Sequence, residues 1–195
     1  MTQLANALRS VVVLDEGCLR KLEQFRDLFA KWNQRINLSA ARTSAEIEEH
    51  IRDSLPAIPH LRGVSSVLDV GSGGGFPVVI AAICLPEVQF TSLEPVHKKH
   101  AFLRTAAREL QLANLTAFAR RLEDHAERDY DLASSRATFD LREWILRGLD
   151  LVRVGGRVIG FEATQRDDLP APFDRHSYEL DGKRRAIIVA TRLAG

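Results

Sequence analysis

Gly71, Gly73, Gly74 and Gly75 put four glycines into five residues, directly after Val67-Leu68-Asp69-Val70 and directly before Phe76-Pro77. A plain tight turn needs one or two glycines, so this density signals a backbone that something approaches closely. An apolar strand running into a glycine loop places that loop at the edge where open α/β sheets bind ligands. No Gly-Lys-Ser/Thr follows, which excludes a Walker loop. Phe76 stands where a dinucleotide fingerprint needs its third glycine. Asp69, two residues ahead of the first glycine, sets negative charge close to where a pyrophosphate would lie. S-adenosylmethionine has no phosphate and carries a cationic sulfonium and a cationic amino group, so a carboxylate beside Gly71-Ser72-Gly73 suits it. Its ribose needs a hydroxyl partner, and Glu94 ends the next apolar run at the spacing, about 20 residues, at which such an acid sits in nucleotide-binding folds.

Other chemistry-bearing residues are weaker. His97 and His100 share a helix face, but no third ligand at metal-site spacing accompanies them. With Lys98, Lys99, Arg104 and Arg108 they read as a solvated basic face that can also touch phosphates. Trp32 fits an apolar stripe and reads as core. Asn33 and Asn37, one helical turn apart, are candidates for tying the N-terminal segment to the glycine loop, as are Asp53 and Ser54. Cys18 and Cys84 form no CxxC pair and read as small hydrophobes. No Ser-His-Asp or Cys-His nucleophile set can be read from spacing, and no metal site is expected.

These residues must be positioned by two kinds of segment. Before Gly63 the apolar residues recur at helical spacing: Leu4, Ala7, Leu8, Val11 and Val12, then Leu19, Leu22, Phe25, Phe29, Trp32 and Ile36. They predict two amphipathic helices divided near Gly17. Thr43 with Glu46 forms a capping box that starts a third helix, ending before Pro56. After Gly63 short β-rich runs alternate with helical ones. Strands are expected at Ser66–Val70, Val88–Leu93, Leu115–Ala119, Tyr130–Ser134 and Arg157–Phe161, with helices at Pro77–Leu85, Val96–Leu112 and around Leu141–Leu151. This is the pattern of βαβ units and a parallel sheet. Asp181-Gly182 between Ser177–Leu180 and Arg185–Thr191 predicts a type I′ hairpin, hence one antiparallel strand. The organisation expected is a helical extension over 1–62 and an α/β ligand-binding domain over 63–195, forming one compact unit.

Composition limits the partners. The 195 residues are 45% hydrophobic and 27% charged, with 27 Lys and Arg against 26 Asp and Glu and a net charge of +1. A chain this neutral does not hold nucleic acid by global charge, so an RNA partner needs a local patch. Arg42, Arg52, Arg120, Arg121, Lys183, Arg184 and Arg185, besides the basic face, are the cations available. The longest apolar run, between Pro77 and Pro86, is far short of a membrane span. Met1–Ser10 has no basic leader followed by a clean apolar block. The expected protein is cytoplasmic, monomeric and independent of membranes.

Several motifs in order resemble one family, the bacterial 16S ribosomal RNA guanine-N7 methyltransferases once called glucose-inhibited division protein B. They are Lys31-Trp32-Asn33-Gln34-Arg35-Ile36-Asn37-Leu38-Ser39, His50-Ile51-Arg52-Asp53-Ser54-Leu55, the glycine loop with Phe76-Pro77, Lys98-Lys99 with Phe102-Leu103, and Ser135-Arg136-Ala137. The resemblance implies a class I S-adenosylmethionine-dependent methyltransferase fold, a Rossmann-like sheet of seven strands with one antiparallel, plus a helical N-terminal extension. It also implies that Gly71, Phe76, Glu94, Leu122, Glu123 and Arg136 line the cofactor site beside Ser72 and Gly73, with Leu122 covering adenine and Glu123 meeting its amino group. The implied substrate is 16S ribosomal RNA or a small-subunit assembly intermediate, methylated at a guanine of the 530 loop. Two positions depart from the family pattern. Val78 replaces the usual glycine after the loop proline, and Glu162-Ala163 replaces the usual Lys-Gly, turning a cation into an anion near the catalytic edge. Near-neutral charge and Glu162 favour an alternative, a small-molecule methyltransferase using the same cofactor. A third reading is a catalytically silent binding module. Guanine N7 carries a lone pair and no proton, so no general base is required, and no proton-transfer residue is assigned.

Overall fold

The computed structural model describes residues 16–194. Among the described residues, four helical pieces precede the sheet: α1 (Glu16–Ile36), α2 (Ser44–Ser54), a 3-10 turn over Leu55–Ala57 and α3 (Ile58–Leu61). The expected helix at Leu4–Val12 lies outside the described residues. α1 is described from Glu16, next to the expected division near Gly17, and the segment on the other side of that division lies outside the described residues. The capping box at α2 is complete: Glu46 N–H donates to Thr43 Oγ1 at 3.2 Å, and Thr43 N–H donates to Glu46 Oε2 at 2.9 Å.

The alternating region forms β1 (Ser66–Val70), α4 (Val78–Cys84), β2 (Gln89–Leu93), α5 (His97–Glu109), β3 (Leu115–Phe118), β4 (Tyr130–Ser135), α6 (Leu141–Leu149), β5 (Val152–Glu162), β6 (Asp174–Leu180) and β7 (Lys183–Thr191). One seven-stranded sheet has the order β3-β2-β1-β4-β5-β7-β6. β1 to β5 pair in parallel, and β7 runs antiparallel to both β5 and β6. This is the expected mostly parallel, Rossmann-like sheet with one antiparallel strand. Asp181 (φ 49°) and Gly182 (φ 75°) supply the two positive φ values that a type I′ turn requires.

Most boundaries differ from expectation by one to three residues, and β5 differs by more. It begins at Val152 rather than Arg157, because the ladder with β4 continues from Leu132 and Arg157 back to Tyr130 and Val152 across an irregularity. The chain doubles back between β1 and β4, the central pair. Connections from β1 proceed outward through β2 to β3, and the next strand returns to the other side of β1, so the carboxyl ends of β1 and β4 flank the crevice where such sheets take ligands.

The core fills both faces of the sheet. On one face Phe25 and Phe29 of α1 meet Phe76 and Phe102, with ring centroids 5.1 to 6.1 Å apart. Trp32 packs edge-on against Phe102 at 5.7 Å, as expected of a core residue. The other face buries Trp144 and Ile145 of α6 against β-strand side chains such as Val158. The helical segment is thus packed onto the start of α4 and α5, beside the glycine loop. Phe29 closes on it so tightly that a Cβ at Gly74 would lie 2.6 Å from the Phe29 ring.

Candidate active site

The glycine loop is fastened from beneath. Gly71 and Ser72 N–H both donate to the Leu93 carbonyl, at 2.8 and 3.2 Å, joining the ends of β1 and β2. Ser72 Oγ donates to Asp69 Oδ2 at 2.5 Å, Ser134 Oγ donates to Asp69 Oδ1 at 2.5 Å, and Ser92 Oγ donates to Ser72 Oγ at 2.7 Å. Asp69 is therefore buried under the loop, not set beside a ligand. Its role is to accept from two hydroxyls, those of Ser72 and Ser134, while Ser92 is tied in through Ser72. Burial pushes its carboxyl up to about 6, against the pull of the Ser134 and Ser72 hydrogen bonds. The sequence expectation of a loop flanked by a carboxylate holds for the chain order and fails for the geometry.

Glu94 is the acid that reaches the cleft. It follows β2, is only 4% exposed, and accepts from Gly73 N–H at 2.7 Å and from Val96 N–H at 2.9 Å. These bonds hold the carboxylate at the mouth of the loop while leaving lone pairs on both oxygens. A cleft of about 450 Å³ opens here, lined by Gly71, Ser72, Gly73, Phe76, Glu94 and Arg136 among the expected residues. The same cleft is bordered by residues the sequence did not assign to it: Leu38, His50, Lys99 and Thr138. A Cβ at Gly73 would meet nothing nearer than the Gly71 carbonyl at 3.8 Å, so open space lies against this backbone. At Gly71, by contrast, the space is taken by Thr138 Oγ1, 2.0 Å from where a Cβ would stand.

Leu122 and Glu123 lie in a 3-10 turn, Leu122–Asp124, which follows β3. They border an adjoining hollow of about 290 Å³ together with Leu93, Pro95 and Phe139. Leu122 faces inward and is buried, whereas the Glu123 carboxylate is exposed and accepts from Arg147 Nη1 at 2.9 Å. All eight expected residues thus gather along one crevice at the ends of β1 to β4.

A second cavity, about 440 Å³, adjoins the first and shares His50, Arg136 and Ala137 with it. Its walls are aromatic, from Phe139, Trp144, Phe161 and Tyr178, and its charges come from Glu49, Asp53, Glu162 and Arg185. Sequence spacing does not reveal this cavity, because its walls come from α2, from the ends of β4 and β5, from α6 and from the C-terminal hairpin. Arg136 stands in the shared wall. Its guanidinium lies 5.4 Å from the Phe76 ring centre and 5.9 Å from that of Phe161, and Nη1 donates to Asp53 Oδ2 at 3.2 Å. Burial draws its pKa down from the ordinary arginine value, and the charges of Asp53 and Asp69 oppose that shift. Burial and the Arg136 charge also lower the pKa of His50, favouring a neutral imidazole.

Three sequence expectations are corrected. Glu162 does not present a bare anion: it is 4% exposed, and Arg175 Nε and Nη2 donate to its two oxygens at 2.9 and 3.0 Å. Arg175 reaches it from β6 across the intervening strand β7, whose Ile188 is its own register partner and whose Ala186 is that of Glu162. Asn33 does not touch the glycine loop. It donates to the Ala41 carbonyl at 2.5 Å and accepts from Ser39 N–H at 2.9 Å, shaping the turn that carries Leu38 to the cleft. Asp53 binds Arg136 instead of the glycine loop, and Ser54 Oγ donates to the His50 carbonyl of its own helix.

Known proteins are consistent with this arrangement. The family model described as GidB, rRNA small subunit methyltransferase G, matches residues 18–187. Ribosomal RNA small subunit methyltransferase G of Neisseria meningitidis serogroup B is 34% identical, the match covering 92% of each chain. The protein of the same name from Aromatoleum aromaticum is 37% identical, over 78% of this chain and 77% of its own. Among solved structures, the S-adenosylmethionine-dependent methyltransferase SibL superposes with a TM-score of 0.63 at 16% identity, covering 91% of this chain and 74% of that one. A putative O-methyltransferase from Klebsiella pneumoniae does so with a TM-score of 0.60 at 17% identity, covering 96% and 94%. These last two likenesses show the fold. The extent of the family match and the identity to these relatives over most of both chains place this chain in the rRNA small subunit methyltransferase G family, and with it among the rRNA methyltransferases.

Proposed function

We propose that the protein binds S-adenosylmethionine in the glycine-loop cleft and methylates N7 of an unpaired guanine in the 530 loop of 16S ribosomal RNA, free or within a small-subunit assembly intermediate. The observation that carries this reading is the meeting of two cavities at Arg136. One has the glycine backbone and the Glu94 carboxylate, the other has aromatic walls of a size to admit a base. When bound, S-adenosylmethionine supplies an electrophilic methyl group on a sulfonium centre.

The residues present fit that group. The open space at Gly73 admits close approach of a ligand, the Glu94 oxygens retain lone pairs for ribose hydroxyls, and buried Leu122 offers an apolar face to adenine. Phe161 and its aromatic neighbours provide a stacking wall for a base removed from its helix. Such removal is needed, because the major groove of A-form RNA hides N7 from side chains. N7 attacks with its own lone pair and has no proton to lose, so the chain's task is alignment, worth roughly 7–11 kcal/mol in well-oriented intramolecular reactions. The pairing of Glu162 with Arg175 removes the uncompensated anion that favoured a small-molecule acceptor. Tritiated-methyl transfer from S-adenosylmethionine tests the reading: ribosomal RNA from cells lacking the enzyme should accept label, and fully modified RNA should accept almost none. Equal labelling of both would sink the assignment.

A further inference from the structure

Asp53 is the meeting point of four elements. It sits near the end of α2 with its side chain 10% exposed, accepts from Tyr178 and Arg136, and pairs with Arg185. Tyr178 Oη, from β6, donates to Oδ1 at 2.9 Å. On Oδ2 converge Arg136 Nη1, from the turn after β4, at 3.2 Å and Arg185 Nη1, from β7, at 2.8 Å. Arg185 also lies 3.6 Å from Glu49 Oε1. Two arginines and two carboxylates thus balance in charge, and all four side chains border the aromatic-walled cavity.

As a device for stability this cluster is a poor solution. Desolvating the ions offsets most of their attraction, and well-packed apolar groups of similar volume do as well or better. Its location gives it another use. A methyl group moving from the cofactor cleft to the acceptor cavity crosses the wall they share, and Arg136 forms part of that wall. Unpaired, a buried guanidinium there would repel a sulfonium and would be free to swing into the acceptor space. It would also be a donor near N7, the lone pair that has to remain unengaged for attack.

We propose that Asp53 is a positioning residue of methyl transfer. It draws the Arg136 guanidinium back against the Phe76 and Phe161 rings and neutralises it, while Tyr178 and Arg185 hold Asp53 in place. The helical segment and the C-terminal hairpin thereby set one arginine between donor and acceptor. This rests on the function proposed above.

The test is a cycle of Asp53→Asn, Arg136→Gln and the double variant, measured for turnover on ribosomal RNA and for affinity toward S-adenosylmethionine and S-adenosylhomocysteine, whose sulfur is uncharged. Asp53→Asn should reduce kcat by roughly tenfold or more, the scale of a lost hydrogen bond to a charged group. It should also weaken S-adenosylmethionine more than S-adenosylhomocysteine. In the Arg136→Gln background the same substitution should change kcat less than about twofold, as coupled neighbours do. Tyr178→Phe keeps all charges and covers the case that Asp53→Asn misfolds; it should lower kcat several-fold only when Arg136 is present. Equal losses with and without Arg136, or equal weakening of the two ligands, would overturn the positioning role while leaving the proposed function standing. A wild-type protein that binds S-adenosylmethionine but labels no RNA would overturn that function, and with it this role.

Discussion

The two cavities that meet at Arg136 are built in opposite ways. The cleft proposed for the cofactor is made by short pieces of chain that turn at strand ends: the Gly71–Phe76 loop, Glu94 one strand later, and the Leu122 turn after β3. Its fastening is mostly backbone, as in the pair of N–H groups on the Leu93 carbonyl and the two on the Glu94 carboxylate. The cavity proposed for the acceptor is made by side chains from remote segments, with Asp53 and Arg136 83 positions apart and Asp53 and Tyr178 125 apart. A backbone cradle tolerates change only where glycine is kept, whereas a side-chain assembly can exchange its members if charge is conserved. The pair Glu162–Arg175 belongs to such a side-chain assembly, with each charge matched by the other.

If this contrast is right, the largest effect belongs to the backbone of the cleft. Gly73→Val places a branched side chain at φ 55° and in the open space against the loop. Calorimetry should detect no S-adenosylmethionine binding, while thermal melts still show a folded protein; retained affinity would move the cofactor elsewhere. Glu94→Ala comes next. Loss of hydrogen bonds to a charged group should weaken the cofactor by about tenfold or more, and an unchanged dissociation constant would reduce Glu94 to a loop fastener. Phe161→Ala should act on the other cavity alone. Base–aromatic stacking is worth about 1–3 kcal/mol, so kcat/KM for RNA should fall about fivefold or more with cofactor affinity unaltered. A matching loss of cofactor affinity would mean that the two cavities are one site.

The smallest effect is a difference in pH response. Asp69, under the cleft, has its pKa raised from 3.8 to about 6, so its contribution to stability is full below 3.8 and is lost as pH rises through 6. His60 lies 4.4 Å, centroid to centroid, from His176 of the C-terminal hairpin. Burial, then His176 and Arg157, lower its pKa from 6.5 to about 4. Its contribution is present above 6.5 and lost as pH falls through 4. Melting temperatures of Asp69→Asn and His60→Gln, compared with wild type across this range, should therefore diverge in opposite directions, by a few degrees at most. Parallel profiles would show that neither shift is expressed in stability.

The same contrast explains what the sequence made legible. The strands, the hairpin and the glycine loop depend on local patterns, turn residues and alternation, and Glu94 lies at a fixed distance from the loop. Asp53 was singled out but given the wrong partner, because nothing local connects α2 to the turn after β4. Trp144, Phe161 and Tyr178 carry no motif, and only the order β5-β7-β6 brings the hairpin beside β5. Glu162 reads as a misplaced anion in the sequence because Arg175 reaches it from two strands away, across β7. Asp69 reads as a ligand-facing carboxylate in the sequence because spacing fixes its place in the chain and says nothing about the Ser72 and Ser134 hydroxyls that occupy it.

The central claim is that a methyl group passes across the wall at Arg136 to N7 of a guanine. Borohydride reduction and aniline cleavage of RNA methylated by the purified protein test it most directly, since only an N7-methylated guanine breaks the chain under this treatment. The account predicts scission at a single guanine in the 530 loop of 16S ribosomal RNA, absent when S-adenosylmethionine is withheld. Labelled RNA that resists cleavage, or label found only on a small molecule, would contradict it.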